Sequence, residues 1–230
     1  MLFNHRIAML LASGFLGTFV IVRAQIMESD IPMEIRYILH QDLDVWEPPE
    51  EIRKNFPYYL SGFDEENRPV WVMEFGKWDV RGALEKGKDW ESALDKHIDQ
   101  WLYRMFNSSG LRATPEEPVN EIIDIHDMDG YNIRQINSPR ALAFIIRKMR
   151  TVSIAMRFAH SAYAINTNFI AENLLNILKP VLGKDFQKLI VYGTNKNKWL
   201  PVLLKSIPKD QLPERYGGSK KFTPVEIFGK

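Results

Sequence analysis

From Glu121 onward the chain alternates short apolar strands with amphipathic helices, and this alternation constrains the fold more than anything else in it. Glu121-Ile-Ile-Asp-Ile-His predicts a strand that ends at an Asp-Met-Asp-Gly turn. Ser138-Pro139 then opens a helix in the favoured cap-then-proline order, running to about Phe158. A strand over Ser161–Asn166, a helix over Asn168–Leu178, a strand over Lys188–Gly193 and a helix over Lys196–Ser206 follow. Strands separated by helices pair in parallel, because each return must cross over the sheet. Upstream, Tyr58–Asp64 and Pro69–Phe75 flank a turn at Asp64-Glu-Glu-Asn-Arg and read as two strands joined by a tight reversal. Trp90, Ala93, Leu94, Ile98, Trp101, Leu102 and Met105 follow i, i+3, i+4 spacing, which predicts an amphipathic helix with Asp89 as its N-cap. A short helix is expected from Pro49 to Lys54, and a loop or turn at Leu212–Gly218. The fold class is α/β with a mixed, largely parallel sheet.

Composition removes whole classes of function. The 230 residues contain no cysteine, so a disulfide framework, a zinc finger, an iron–sulfur cluster and a thiol nucleophile are all excluded. Thirty basic against 29 acidic residues leave a net charge of +1, which argues against a nucleic-acid partner. The histidines His5, His40, His97, His126 and His160 form no metal-ligand pair, and no phosphate loop, dinucleotide fingerprint or nucleophile elbow occurs. Ile125-His-Asp-Met-Asp-Gly lacks the first acid and the twelfth-position glutamate of a calcium loop. Neither a catalytic residue, a metal nor a cofactor is expected, and the chain is read as a non-enzymatic monomer.

Charge is uneven at the start. Residues 1–24 hold Arg6 and Arg23 and no acid, and Ile7–Val22 is uncharged. Sixteen residues fall short of the roughly 20 needed to span hydrocarbon. A basic start, this apolar stretch and Val22-Arg23-Ala24 read as a signal peptide cleaved before Gln25. A secreted or luminal protein would result; an uncleaved membrane anchor and a buried helix, hence a cytoplasmic chain, are the alternatives. Residues 25–56 are polar and rich in acids and prolines, and 25–48 read as a linker or short helix.

Two later segments stand out. Residues 134–157 carry six cations and no acid, among them Arg140, Arg147, Lys148 and Arg150. This is either a solvated face or a surface drawn transiently to anionic headgroups, at roughly 1 kcal/mol per cation near a membrane. The helix from Phe169 to Leu182 is apolar on more than one face, as a helix is when buried in a large core or when it covers an apolar ligand.

Phe56-Pro-Tyr-Tyr-Leu-Ser-Gly-Phe-Asp-Glu-Glu-Asn-Arg-Pro-Val-Trp, Phe75-Gly-Lys-Trp-Asp and Leu212-Pro-Glu-Arg-Tyr-Gly-Gly closely resemble the CRAL-TRIO lipid-binding domain. They are most similar to its animal phosphatidylinositol-transfer-like, tocopherol-associated branch. The resemblance spans about residues 45–218, with the domain itself placed at 49–218 and a tail at 219–230. It implies a sheet that floors a deep apolar cavity, closed by a gate helix at Phe169–Leu182, and a carrier of one lipophilic small molecule: a lipid, a fatty acid, or a tocopherol- or retinoid-like compound. Strand alternation and the gate assignment then make Tyr103, Ile123, Ile125, Tyr163, Ile165, Phe169, Leu174, Leu178 and Val191 the expected lining.

The chain departs from the family where phosphoinositide-transfer members pair a glutamate with a gate lysine. Here Arg157 takes the glutamate's place and Lys179 matches the lysine, so the resemblance implies a neutral lipophile, or an anionic group met by Arg157 and Lys179. The family's N-terminal three-helix module is not expected in residues 25–48, nor a C-terminal β-sandwich after Gly218. A rival reading is a membrane- or protein-targeting module with no transported ligand.

Overall fold

The computed structural model describes residues 25–180 and 182–228. Residues 1–24, on which the signal-peptide reading falls, lie outside them, as does Val181 of the expected gate segment. Among the described residues no helix is long and apolar enough to cross a membrane.

Among the described residues six strands form one sheet: β1 (Tyr58–Phe63), β2 (Pro69–Met73), β3 (Ile122–Asp127), β4 (Ala159–Thr167), β5 (Leu189–Gly193) and β6 (Glu226–Phe228), in the order β5-β4-β3-β2-β1-β6. β2 through β5 are mutually parallel, as their helical crossovers require, while β1 runs antiparallel to both β2 and β6. β6 lies in the segment expected to be a tail. It pairs because Phe228 stacks on Trp71 at 5.9 Å and receives the Arg104 guanidinium 3.8 Å from its ring centroid.

The helices are α1 (Met33–Arg36), α2 (Glu50–Asn55), α3 (Val80–Glu85), α4 (Lys88–Ser108), α5 (Ile133–Ile136), α6 (Pro139–Ala155), α7 (Phe169–Leu178) and α8 (Lys196–Ser206). Caps fix several boundaries. Ser138 Oγ accepts from Ala141 N, and Asn168 Oδ1 accepts from Ala171 N at 2.9 Å. Asp89 is not the cap of α4: Gly87, at φ 120°, holds that place and Asp89 lies in the first turn. The early backbone turn there needs a positive φ, which glycine adopts without strain.

Both faces of the sheet are covered. Tyr59, Val70, Val72, Ile123, Ile125, Tyr163 and Ile165 pack against Trp199 and Leu203 of α8 and against Ile207, Leu212 and Tyr216. The opposite face, which includes Tyr58, Leu60, Trp71, Met73 and Ala164, lies in the larger core with α4, α6 and α7. Double coverage explains why β1 and β2 are buried at every residue rather than at alternate ones.

Residues 25–48 contain a short helix, α1, and pack against the rest of the domain. Ile31, Ile35, Ile38, Leu39 and Leu43 are buried in the larger core, and the first three repeat at i, i+4, i+7, one face of a helical path. Gln100 of α4 holds this segment by donating from Nε2 to the carbonyls of Leu43 (2.9 Å) and Trp46 (2.7 Å).

His97 of α4 is fully buried, with Nε2 donating to Phe56 O at 2.9 Å and the ring 5.1 Å from that of Tyr58. Burial pushes its pKa down from 6.5 to about 4. Below the ordinary histidine pKa the unfolded chain takes up a proton that the folded protein refuses. Stability therefore falls as pH drops from about 6.5 to 4 and levels off below that, with roughly 3 kcal/mol at stake. Urea midpoints across this window should show the loss in the wild type. In His97→Gln, which keeps a donor but cannot titrate, the pH slope should be correspondingly smaller.

Candidate functional site

Between the sheet and α7 lies a small apolar cavity. Its floor is His126 and Ala164, from β3 and β4, with Phe75, Met128 and Leu189 at the margins. Its walls are Met149 and Val152 of α6, then Met156 and Phe186, and its cover is Leu174, Leu175 and Leu178 of α7. The volume is about 30 Å³, enough for a water molecule or two and far too little for a lipid chain. Three of the lining side chains are methionines, whose unbranched, polarizable chains refill irregular space at small cost.

α7 is built to cover. Ala171, Leu174, Leu175 and Leu178 form its buried stripe, whereas Phe169 (72% exposed) and Ile177 (40%) face outward. Its N-terminus is tethered by Asn168, which caps the helix and also donates from Nδ2 to Tyr131 O at 2.7 Å. Among the described residues no ion pair involves α7.

The far end of the strands is sealed by the Leu212–Gly218 segment. Arg215 pairs with Glu74, just past β2, and donates to Tyr59 Oη at 2.9 Å. Tyr216 Oη donates to Asp127 Oδ2 at 2.7 Å, and Asn166 Nδ2 donates to Asp127 Oδ1 at 2.8 Å. Burial works to raise the Glu74 carboxyl, but Lys77 and Arg215 outweigh it and hold it below the usual carboxylate range. Gly217 sits at φ 80° with Leu200 Cδ1 close to where a Cβ would be, and a Cβ on Gly218 would run into the carbonyl oxygen of Leu212. At Gly218 the obstacle is backbone, so no side chain fits, and at Gly217 the left-handed backbone favours glycine.

This architecture, with its doubly covered sheet and a cavity beneath one helix, matches a known family over most of its length: residues 53–218 fit the model of the CRAL/TRIO domain. The chain belongs to the CRAL/TRIO family.

Similar curated proteins include the phosphatidylinositol/phosphatidylcholine transfer protein SFH9 of Arabidopsis thaliana, 26% identical over 77% of this chain and 30% of that protein. The SEC14 cytosolic factors of Eremothecium gossypii (26% identical, 76% of this chain, 56% of that protein) and Kluyveromyces lactis (24%, 76% and 57%) are also similar. The chain thus spans between 30% and 57% of the length of these relatives. The crystal structure of Sfh5 shares the fold, with a TM-score of 0.55 at 15% identity over 82% of this chain and 63% of that one.

Within this CRAL/TRIO domain the expected lining is only partly assembled at the cavity. Leu174 and Leu178 are there. Ile123, Ile125, Tyr163 and Ile165 point the other way, into the layer under α8. Tyr103 is half-buried on α4 and Phe169 faces solvent, while Val191 shares the cavity face of the sheet but stands 40% exposed on the β5 edge. Arg157 and Lys179 are both exposed and neither lines the cavity. Strand parity explains the misplacement. The more apolar alternate residues of β3 and β4 pack on the solid layer, and the cavity takes the phase that carries Asp124, His126 and Ala164. Polar residues in a strand signal solvent only when one face is bare, which here neither is.

Three of the four cations expected at a membrane are spent inside the molecule. Arg140 Nη2 lies 2.8 Å from Glu91, Arg147 Nη2 3.2 Å from Asp95, and Lys148 Nζ 3.0 Å from Asp95 and 2.7 Å from Asp99. Only Arg150 of the four is exposed with no ion pair among the described residues. The acids that neutralise this basic helix sit on α4, 49 to 56 residues away, beyond any local charge count. Lys148 and Asp99 are both nearly inaccessible, so burial raises the Asp99 carboxyl while Lys148 pulls it down only in part. Lys148→Met should destabilise the protein by about 3–5 kcal/mol, because it strands a buried carboxylate. Adding Asp99→Leu should restore most of that loss in a double-mutant cycle followed by urea denaturation.

Proposed function

We propose that the protein is a non-enzymatic carrier that takes one lipophilic molecule into the space beneath α7 and exchanges it at a membrane, with α7 as the gate. The observation that carries this reading is the construction of the cavity: an apolar, methionine-rich space whose cover is tethered at one end by Asn168 and otherwise held by apolar contacts. At about 30 Å³ the space must expand to admit a ligand, and α7 is the wall with the least to break. Moving it exposes leucines that a bilayer would cover again, and Phe169 and Ile177 already offer an apolar outer surface for that contact. Each buried CH₂ of a ligand contributes about 0.8 kcal/mol, which offsets the cost of leaving the bilayer. The named functions of the curated relatives, phosphatidylinositol and phosphatidylcholine transfer for the Arabidopsis protein, support the transfer class.

The test is uptake from mixed-lipid vesicles, followed by re-isolation and native mass spectrometry. One lipophile per protein is expected in the wild type. Occupancy should drop several-fold in Ala164→Leu, which fills the floor, with little change in the far-ultraviolet spectrum. A wild-type protein that emerges lipid-free but still binds the vesicles would favour the rival targeting module.

A further inference from the structure

The net charge of +1 conceals a strong polarity. Residues 196–222, which comprise α8 and the segment after it, hold seven basic residues and two acidic ones. Residues 25–56 hold eight acidic residues and three basic ones. The fold puts these two segments on opposite faces of the sheet. Trp199, Leu203, Leu212, Tyr216 and Phe222 pack on the face that carries Tyr59, Tyr163 and Ile165. Ile31, Ile35, Ile38 and Leu43 belong instead to the core shared with α4, α6 and α7.

The cations of the α8 layer are available. Lys196, Lys198, Lys205, Lys209 and Lys221 are exposed and make no ion pair among the described residues. Lys198 and Lys205 stand two turns apart on one side of α8, with exposed Pro201 between them, turned away from the buried Trp199 and Leu203. Arg140, Arg147 and Lys148 of α6, by contrast, are already neutralised by Glu91, Asp95 and Asp99.

What such a surface binds follows from its make-up. None of the large exposed hydrophobic side chains among the described residues falls within 196–222. Protein–protein interfaces concentrate Tyr, Trp and Arg at a desolvated centre and are poor in lysine. Five lysines spread over a face without an exposed apolar anchor do not build that centre. They suit a target that is itself a diffuse sheet of negative charge, where each ammonium keeps most of its hydration and still gains from the surface potential. The acidic segment 25–56, on the other side of the sheet, is repelled by the same target and so fixes the orientation.

We propose that the α8 layer, through Lys196, Lys198, Lys205, Lys209 and Lys221, is an electrostatic docking face for an anionic bilayer. The protein adsorbs on it without penetration and with α7 turned away, so this contact is distinct from the apolar one through Phe169 and Ile177. It holds whether or not a lipophile is carried. A molecule docked in this way keeps α7 free to meet a second bilayer.

The experiment measures co-sedimentation with vesicles of phosphatidylcholine and of phosphatidylcholine mixed with phosphatidylserine, at low and at physiological salt. The wild type should prefer the anionic vesicles, and the preference should fall steeply as salt rises. The triple variant Lys198→Gln/Lys205→Gln/Lys209→Gln should lose about fivefold in partitioning per lysine, about a hundredfold in all, with its thermal midpoint unchanged. The same change in net charge made elsewhere, Arg150→Gln/Arg157→Gln/Lys179→Gln, should cost only a few-fold. Equal losses in the two triples would overturn the proposal, because net charge and not a face would then be responsible. A wild type indifferent to phosphatidylserine would also overturn it, and would leave the cations to an acidic protein partner. Lipophile uptake from phosphatidylcholine vesicles should survive in the lysine triple, and its loss there would overturn the separation of the two contacts. A wild type that docks on phosphatidylserine but takes up no lipophile contradicts the carrier reading and leaves this one standing.

Discussion

The sheet is buried on both faces, and its two covers are held by different forces. Under α8 the contact is a solid aliphatic and aromatic layer, reinforced at the strand ends where Arg215 grips Glu74 and Tyr216 grips Asp127. On the other side α4 and α6 are pinned to each other by a buried Lys148–Asp99 pair and its flanking arginines, while α7 has only its Asn168 tether and an apolar stripe. A domain assembled this way has one strong layer, one cross-braced pair of helices and one helix that makes no ion pair among the described residues. The proposed gate follows from that inequality. Local opening draws on the least protected element of a fold, and a cover held by exchangeable apolar contacts can trade them for lipid.

The electrostatics serve the fold before they serve a surface. An apparent basic helix at 134–157 becomes, in three dimensions, one half of a charge-matched interface with Glu91, Asp95 and Asp99. Removing one partner leaves an uncompensated buried charge, which is why such pairs fix helix register more firmly than their net energy suggests. Of the cations expected at a membrane or a headgroup, Arg150, Arg157 and Lys179 are exposed with no ion pair among the described residues. The proposed mechanism places membrane contact on the exposed apolar residues of α7, Phe169 and Ile177.

Much of the architecture was legible in the chain. The hairpin around Asp64, the Ser138-Pro139 helix start and the Lys196–Ser206 helix stand where local signals put them, because turn chemistry and capping act within a few residues. Leu174 and Leu178 were legible as cavity residues through the gate assignment that the resemblance supplied. What local pattern could not supply was the phase of β3 and β4. Both faces of those strands are buried, so the rule that apolar residues look inward no longer names a face, and alternation alone points to Ile123 and Ile125 rather than His126 as lining. The core role of Ile31, Ile35 and Ile38 was carried by a helical spacing that the surrounding acids and prolines masked. β6 was not visible at all, since three residues pair only because Trp71 and Arg104, remote in sequence, offer Phe228 a place.

The central claim is that α7 opens while the sheet beneath it stays closed. Hydrogen–deuterium exchange, compared in solution and on lipid vesicles, tests it most directly. Amides of Phe169–Leu178 should exchange markedly faster in the presence of vesicles, while those of β3 and of α8 keep their protection. Unchanged protection across α7, or a loss of protection spread evenly over sheet and helices, would contradict the account.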